Sequence, residues 1–93
     1  MDIKSLNDIL KKGGVIVSFY ADWCGGCQVA APIIQKIATK LNYKLIKINE
    51  NEELEDEFGV DYYPHIIVIK APSSTPIHYP GLHMIRDLYE SII

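Results

Sequence analysis

The chain has 93 residues and a formal net charge of −3, with 48% hydrophobic and 23% charged residues. This length fits one domain over residues 1–93, and the composition is that of a folded protein rather than a disordered one. No basic run exceeds Lys11-Lys12, which argues against nucleic acid or an anionic membrane as a partner. We recognise no signal peptide and no apolar run of about 20 residues, so the sequence predicts a soluble cytoplasmic protein.

Hydrophobic periodicity predicts eight elements in the order α-β-α-β-α-β-β-α. The first helix is expected to begin at a cap on Asp2 and to be stopped by Gly13-Gly14. Val15–Tyr20 is an apolar run typical of a strand that is buried on both faces. A helix over 28–41 follows, and Pro32 within it is expected to bend it because proline removes a backbone hydrogen bond.

The second half of the chain continues this alternation. The third predicted helix is acidic, and its charges are those of a solvated face. The last two strands flank a proline-rich turn, so we expect them to pair as a hairpin, whereas the earlier βαβ unit implies a parallel crossover. The predicted strands cover 43–48, 66–69 and 77–79, and the predicted helices run from a cap at Asn49 or Asn51 to Gly59 and from Leu82 to Ile92.

Both cysteines lie in the sequence Cys24-Gly25-Gly26-Cys27, between the first strand and the second helix. Two thiols at this spacing and at such a junction are a redox signature. The unpaired N–H groups and partial positive charge of a helix N-terminus stabilise a thiolate, and a cross-link enclosing two residues would add little as a structural staple. The spacing therefore predicts dithiol–disulfide exchange, with Cys24, expected to be the more exposed thiol, as nucleophile and Cys27 as the resolving thiol.

Three segments occur in a fixed order: Ala21-Asp22-Trp23-Cys24-Gly25-Gly26-Cys27, Ala31-Pro32-Ile33, and Phe58-Gly59-Val60 with Tyr63-Pro64. From about Val15 onward the chain thus resembles the thioredoxin family, and Gly81 before the last helix fits the same pattern. The resemblance implies an α/β thioredoxin-like fold, with a central four-stranded mixed sheet flanked by about four helices. The usual first strand is expected to be absent, because only about fourteen residues precede Val15. The implied activity is thiol–disulfide oxidoreduction, in which the protein reduces the disulfides of other proteins.

The resemblance also implies a substrate-binding surface around the cysteines. The Tyr63–Pro64 bond is expected to be cis and to face the thiols, so that the backbone beside the proline docks an extended substrate segment. Without the resemblance, an ordinary trans proline at the start of a strand is the simpler interpretation. Trp23 is expected to contribute to the contact surface, to belong to the core, or both, since the two roles are compatible, and Gly25 and Gly26 complete the binding turn.

The sequence departs from the family pattern at three further places. Gly26 replaces the usual proline between the cysteines, which alters the redox potential in a direction that the sequence does not determine. The family's buried carboxylate falls at Ser18 and its partner lysine at Leu45, so the proton route of the second thiol is left open. His65 replaces a threonine; it either lies near Cys24 as a pKa modulator or faces solvent at the start of a strand.

The expected partners are disulfide-containing proteins and a thioredoxin reductase or an equivalent reductant. No cofactor beyond the redox-active disulfide and no metal is expected, and the chain is predicted to be monomeric. Two other functions stay open: a glutaredoxin-like, glutathione-dependent oxidoreductase and a non-catalytic binding module with the same fold. A zinc site formed by Cys24, Cys27, His78 and His83 has acceptable spacing within each pair, but the gap between the pairs is too long for a finger.

Overall fold

The computed structural model describes residues 3–93, with side chains from Ser5 onward. The predicted cap at Asp2 lies outside the described residues. Within them, helices and strands follow one another in the predicted order. The helices are α1 (Ile3–Leu10), α2 (Gly25–Leu41), α3 (Glu52–Phe58) and α4 (Leu82–Ile92), and the strands are β1 (Val15–Tyr20), β2 (Lys44–Asn49), β3 (His65–Ile69) and β4 (Ile77–Pro80).

The four strands form one mixed sheet in the order β2-β1-β3-β4. Strands β1 and β2 are parallel, as the crossover through α2 requires, and β3 is antiparallel to both β1 and β4. The predicted four-stranded mixed sheet and the β3–β4 hairpin are therefore confirmed within residues 3–93. The assignment of one domain to residues 1–93 stays a prediction.

Each face of the sheet has its own apolar core. Val15 and Val17 of β1 pack towards α1 and α3, whereas Ile16 between them packs towards α2 and α4. Strand β3 divides in the same way, with Ile66 and Ile67 on opposite faces. Because side chains alternate along a strand, a strand covered on both faces is apolar throughout, which explains the continuous apolar runs.

Helix α2 begins three residues earlier than the predicted start at residue 28. Cys24 is its N-cap, and Asn42 ends it in the left-handed conformation with φ of 58°. The helix continues through Pro32. Since β1 ends at Tyr20, only a short connection separates the sheet from the helix, and this connection places Cys24 where the strand end meets the first free N–H groups of α2.

Candidate active site

Cys24 and Cys27 are joined by a disulfide at the N-terminus of α2, with their Cα atoms 5.2 Å apart. The backbone N–H of Cys27 donates to Sγ of Cys24 over 3.1 Å. Cys24 thus caps the helix through its sulfur, in the way that a serine or aspartate oxygen usually does. This arrangement favours an anionic sulfur at Cys24, because an N–H donor and the positive end of the helix dipole both point at it.

The two sulfur-bearing side chains are almost equally buried. Cys24 is 7% exposed and Cys27 is 6% exposed in this disulfide form, and the greater exposure expected of the free Cys24 thiol stays a prediction. Both cysteines pack against Ala21, with Tyr20 and Tyr63 at the margin. The difference between the two sulfurs therefore lies in their hydrogen bonding and in what each one adjoins, rather than in exposure.

The surface beside the disulfide is formed by residues distant in sequence. The Tyr63–Pro64 peptide bond is cis, as the family resemblance implied. A Cβ atom on Gly26 would lie 3.4 Å from Cδ of Pro64, an ordinary contact distance, so the turn rests directly on the proline. Trp23 is 73% exposed and meets the Tyr63 ring edge-on, with ring centroids 5.9 Å apart. The alternative that Trp23 belongs to the core is wrong.

Tyr63 is fixed from the opposite side by helix α3. Its hydroxyl donates to the carboxylate of Glu55. Burial raises the pKa of Tyr63 to about 12, and the hydrogen bond to Glu55 and the negative charges of Glu55 and Glu50 contribute in the same direction. Tyr63 therefore stays protonated at physiological pH and holds α3 against the loop that carries Pro64.

A cavity of about 250 Å³ lies behind Cys27, between the sheet and the start of α2. Ser18 lines it, as does Lys47, which is its partner in the β1–β2 register. Placing the partner lysine at Leu45 was therefore wrong: Leu45 is paired with Ile16, and the lysine beside Ser18 is Lys47. The correct assignment requires the strand register, because both residues point to the same face of β2.

His65 is buried on the sheet, at 4% exposure, so the prediction that it faces solvent is wrong. Its Nε2 lies 2.9 Å from Nδ1 of His78, and Tyr62 is its other ring neighbour. Burial lowers the pKa of His65, the nearby His78 lowers it further, and Asp61 acts in the opposite direction. A neutral imidazole is favoured, which argues against His65 as a cation that stabilises Cys24.

The four residues of the zinc alternative are not gathered in one place. Cys24 is bonded to Cys27, His78 contacts His65, and His83 pairs with Asp87 at 3.3 Å. Among the described residues, no group of three or more histidine, cysteine, aspartate or glutamate side chains could hold a metal ion. Nor is any helix within residues 3–93 long and apolar enough to cross a membrane.

Comparison with known proteins matches this geometry to a family. The family model described as Thioredoxin matches residues 3–93. The chain belongs to the thioredoxin family. A thioredoxin from Rickettsia typhi is 38% identical over 74 residues, which make up 74% of this chain and 70% of that protein. Among solved structures, a mutant thioredoxin from Halobacterium salinarum has a TM-score of 0.80 at 27% identity, covering 99% of this chain and 83% of that one.

A second kind of thioredoxin-family relative is a much longer protein. The protein disulfide-isomerase erp38 of Neurospora crassa is 31% identical over 86 residues, which are 83% of this chain but only 23% of that isomerase. The family membership, the four-stranded fold and the Cys24–Cys27 centre together confirm the predicted class of activity. This thioredoxin-family protein is a thiol–disulfide oxidoreductase.

Proposed function

We propose that this protein reduces the disulfides of other proteins, with Cys24 as the attacking sulfur and Cys27 as the resolving one. The observation that carries this assignment is the hydrogen bond from the Cys27 N–H to Sγ of Cys24 at the start of α2. That donor favours the thiolate of Cys24 in the reduced protein. Cys27 has no comparable position at the helix end and instead adjoins the cavity.

The proposed reaction has two exchange steps. The Cys24 thiolate attacks one sulfur of the substrate disulfide, forms a mixed disulfide and expels the other substrate sulfur as a thiolate. Cys27 then loses its proton and attacks Sγ of Cys24, which releases the second substrate thiolate and leaves the Cys24–Cys27 disulfide. Two electrons have moved to the substrate, so a further reductant must restore the two thiols.

Substrate binding is assigned to the surface that surrounds the disulfide. Exposed Trp23 supplies a large apolar contact, and its ring is supported by Tyr63. Gly25 and Gly26 carry no side chain that would obstruct an approaching disulfide. The carbonyl of Pro64 accepts a hydrogen bond from the Gly81 N–H at 2.8 Å, so the backbone of Tyr63 is the part of this edge that we assign to pairing with an extended substrate segment.

The remaining assignments follow from the chemistry and from the family. A thioredoxin reductase or an equivalent donor would return electrons to the disulfide, and no further cofactor is assigned to the reaction. We place the protein in the cytoplasm because a redox cysteine pair without other cysteines suits a reducing compartment. A monomer is proposed because the exposed tryptophan, Trp23, is accounted for by substrate contact.

Reduction of insulin in the presence of dithiothreitol tests the proposal, and the two cysteines serve as matched controls for each other. The Cys24→Ser variant is expected to show only the background rate. In a separate incubation without dithiothreitol, the reduced Cys27→Ser variant is expected to accumulate a mixed disulfide with insulin through Cys24, seen as a mass increase that later addition of dithiothreitol removes. Turnover by Cys24→Ser at the wild-type rate would contradict the assignment, and trapping through Cys27 in that variant would reverse the two roles.

The same protein preparation separates the two other functions. A glutathione-dependent oxidoreductase would require glutathione for turnover and would be trapped as a glutathione adduct in the Cys27→Ser variant. A binding module without catalysis would leave insulin intact. Equilibration of the Cys24–Cys27 pair with glutathione gives the direction of electron flow, because a strongly reducing pair acts as a reductase and a weakly reducing one as an oxidase or isomerase.

A further inference from the structure

The cavity behind Cys27 must contain or adjoin a group that accepts the proton of the Cys27 thiol. Cys27 must lose a proton before it can attack the mixed disulfide. A neutral hydroxyl such as that of Ser18 donates and accepts hydrogen bonds but does not hold an additional proton at physiological pH. Ser18 stands at the position where the family resemblance implies a buried carboxylate. Another group must therefore accept the proton of Cys27.

Asp22 lines the same cavity, and among the described residues around it no other carboxylate is present. Its position is fixed at two points. The amide of Asn49 donates to Oδ2 of Asp22 over 3.2 Å, and the Gln28 side chain donates to the Asp22 carbonyl over 3.4 Å. Asp22 is thereby tied both to the end of β2 and to the first turn of α2.

Water can connect Cys27 with Asp22. A volume of about 250 Å³ is several times the share of one water molecule, and the lining includes the polar side chains of Ser18 and Lys47. The titratable side chains that share this cavity with Asp22 are Tyr20 from β1, Lys47 from β2 and Cys27 from α2. Lys47 carries the positive charge among these side chains, and its side chain is exposed.

We propose that Asp22 accepts the proton of Cys27 through water in this cavity, in place of a carboxylate at position 18. The proposal rests on the assignment of Cys27 as the resolving thiol. In the second step the Cys27 proton passes by way of water to the Asp22 carboxylate. The Cys27 thiolate forms the bond to Sγ of Cys24, while the bond from Cys24 to the substrate sulfur breaks and that sulfur leaves with the electron pair. Asp22 then returns its proton to solvent or to the departing thiolate.

The reaction with dithiobis-nitrobenzoate resolves the two steps, because this aromatic disulfide releases one coloured thiolate when Cys24 attacks and a second when Cys27 resolves. In stopped-flow experiments near pH 6, we expect Asp22→Asn to slow the second release by at least about tenfold. The first release should change less than about twofold, since Asp22 has no part in it. The difference between Asp22→Asn and the wild type in the rate of the second release should disappear near pH 9, where hydroxide removes the Cys27 proton directly.

Three further variants separate a proton role from a structural one. Asp22→Glu should recover most of the second release, because it restores a carboxylate. Ser18→Asp combined with Asp22→Asn should also recover it, because this change supplies a carboxylate within the cavity. Asp56→Asn removes an exposed carboxylate from α3 and should leave both releases unchanged.

Distinct outcomes overturn the inference and the function on which it rests. A second release that is as fast in Asp22→Asn as in the wild type near pH 6 would overturn the role of Asp22. So would a loss that is equal at all pH values and that neither Asp22→Glu nor the double variant recovers. If the wild-type protein itself gave no second release, the failure would lie in the assignment of Cys27 and hence in the proposed function.

Discussion

At the scale of single residues, His65 is the buried polar group with the least complete hydrogen bonding among the described side chains. Its Nδ1 has no partner, although Nε2 lies within hydrogen-bonding distance of His78. We assign the Nε2–H of His65 as the donor to Nδ1 of His78, because the opposite tautomer would leave a buried N–H without an acceptor. A second proton on His65 would have to be placed on the unpartnered Nδ1, which burial makes unfavourable.

This arrangement predicts that the protein loses stability in mild acid. Because burial lowers the pKa of His65 in the folded state, the unfolded chain binds more protons below about pH 6.5, the ordinary histidine value. The free energy of unfolding should therefore be fully retained above that pH and should fall as the pH drops towards the lowered value. Urea denaturation at about pH 7.5 and pH 5 measures the fall.

A histidine that is exposed provides the matched control for this prediction. His65→Gln should reduce the difference between the two pH values, because glutamine keeps a polar contact to His78 and does not titrate. His83→Gln should leave the difference as it is in the wild type, since His83 is at the surface and pairs with the exposed Asp87. If His65→Gln and the wild type lost the same free energy on acidification, burial of His65 would not be the cause.

The sequence alone was sufficient to predict the Cys24–Cys27 pair. Two residues separate the cysteines, and this spacing brings the two sulfurs together within one helical turn. The burial of His65 could have been predicted from the alternation of side chains along β3. His65 points to the same buried face as Ile67 and Ile69. The position of Lys47 beside Ser18 could not be predicted in this way, because it depends on the register between β1 and β2.

At the scale of elements, the ends were harder to predict than the centres. The range of β1 was predicted to the residue, because apolar side chains fill it and Gly14 precedes it. The start of α2 was placed three residues late, since Gly25 and Gly26 are poor helix formers and conceal the first turn. Asn51 rather than Asn49 proved to be the cap of α3. Propensity describes the interior of a helix better than the side-chain bond that begins it.

The cap of α3 gives a prediction about how this short helix supports the active-site loop. Oδ1 of Asn51 accepts the N–H of Leu54 at 3.1 Å, and the next residue, Glu55, holds Tyr63. Asn51→Ala should lower the free energy of unfolding by about 1 kcal/mol, because an N–H at the helix start loses its acceptor. Asn51→Asp should keep the stability, since its carboxylate caps equally well. Urea midpoints measure both, and equal values for the two variants would contradict the role of the cap.

At the scale of the whole molecule, one sheet separates two apolar cores that share its central strands. Ile66 and Ile67 are neighbours in β3 and are both fully buried, yet Ile66 belongs to the core under α2 and α4 and Ile67 to the core under α1 and α3. A strand common to both cores cannot leave one of them and stay in the other. We therefore expect the two cores to unfold together, as small domains usually do.

Matched substitutions at these two positions test this coupling. Ile66→Val and Ile67→Val each remove one methylene group from a filled site, so each should lower the free energy of unfolding by about 1 kcal/mol. Lys70→Gln, at an exposed position just beyond β3, should change it by less than about 0.5 kcal/mol. Circular dichroism and the fluorescence of Trp23 should give coincident urea transitions for every variant. A substitution that shifted the circular dichroism transition but not the Trp23 fluorescence transition, or the reverse, would show that the molecule does not unfold in one step. Coupled unfolding of the two cores would then be contradicted.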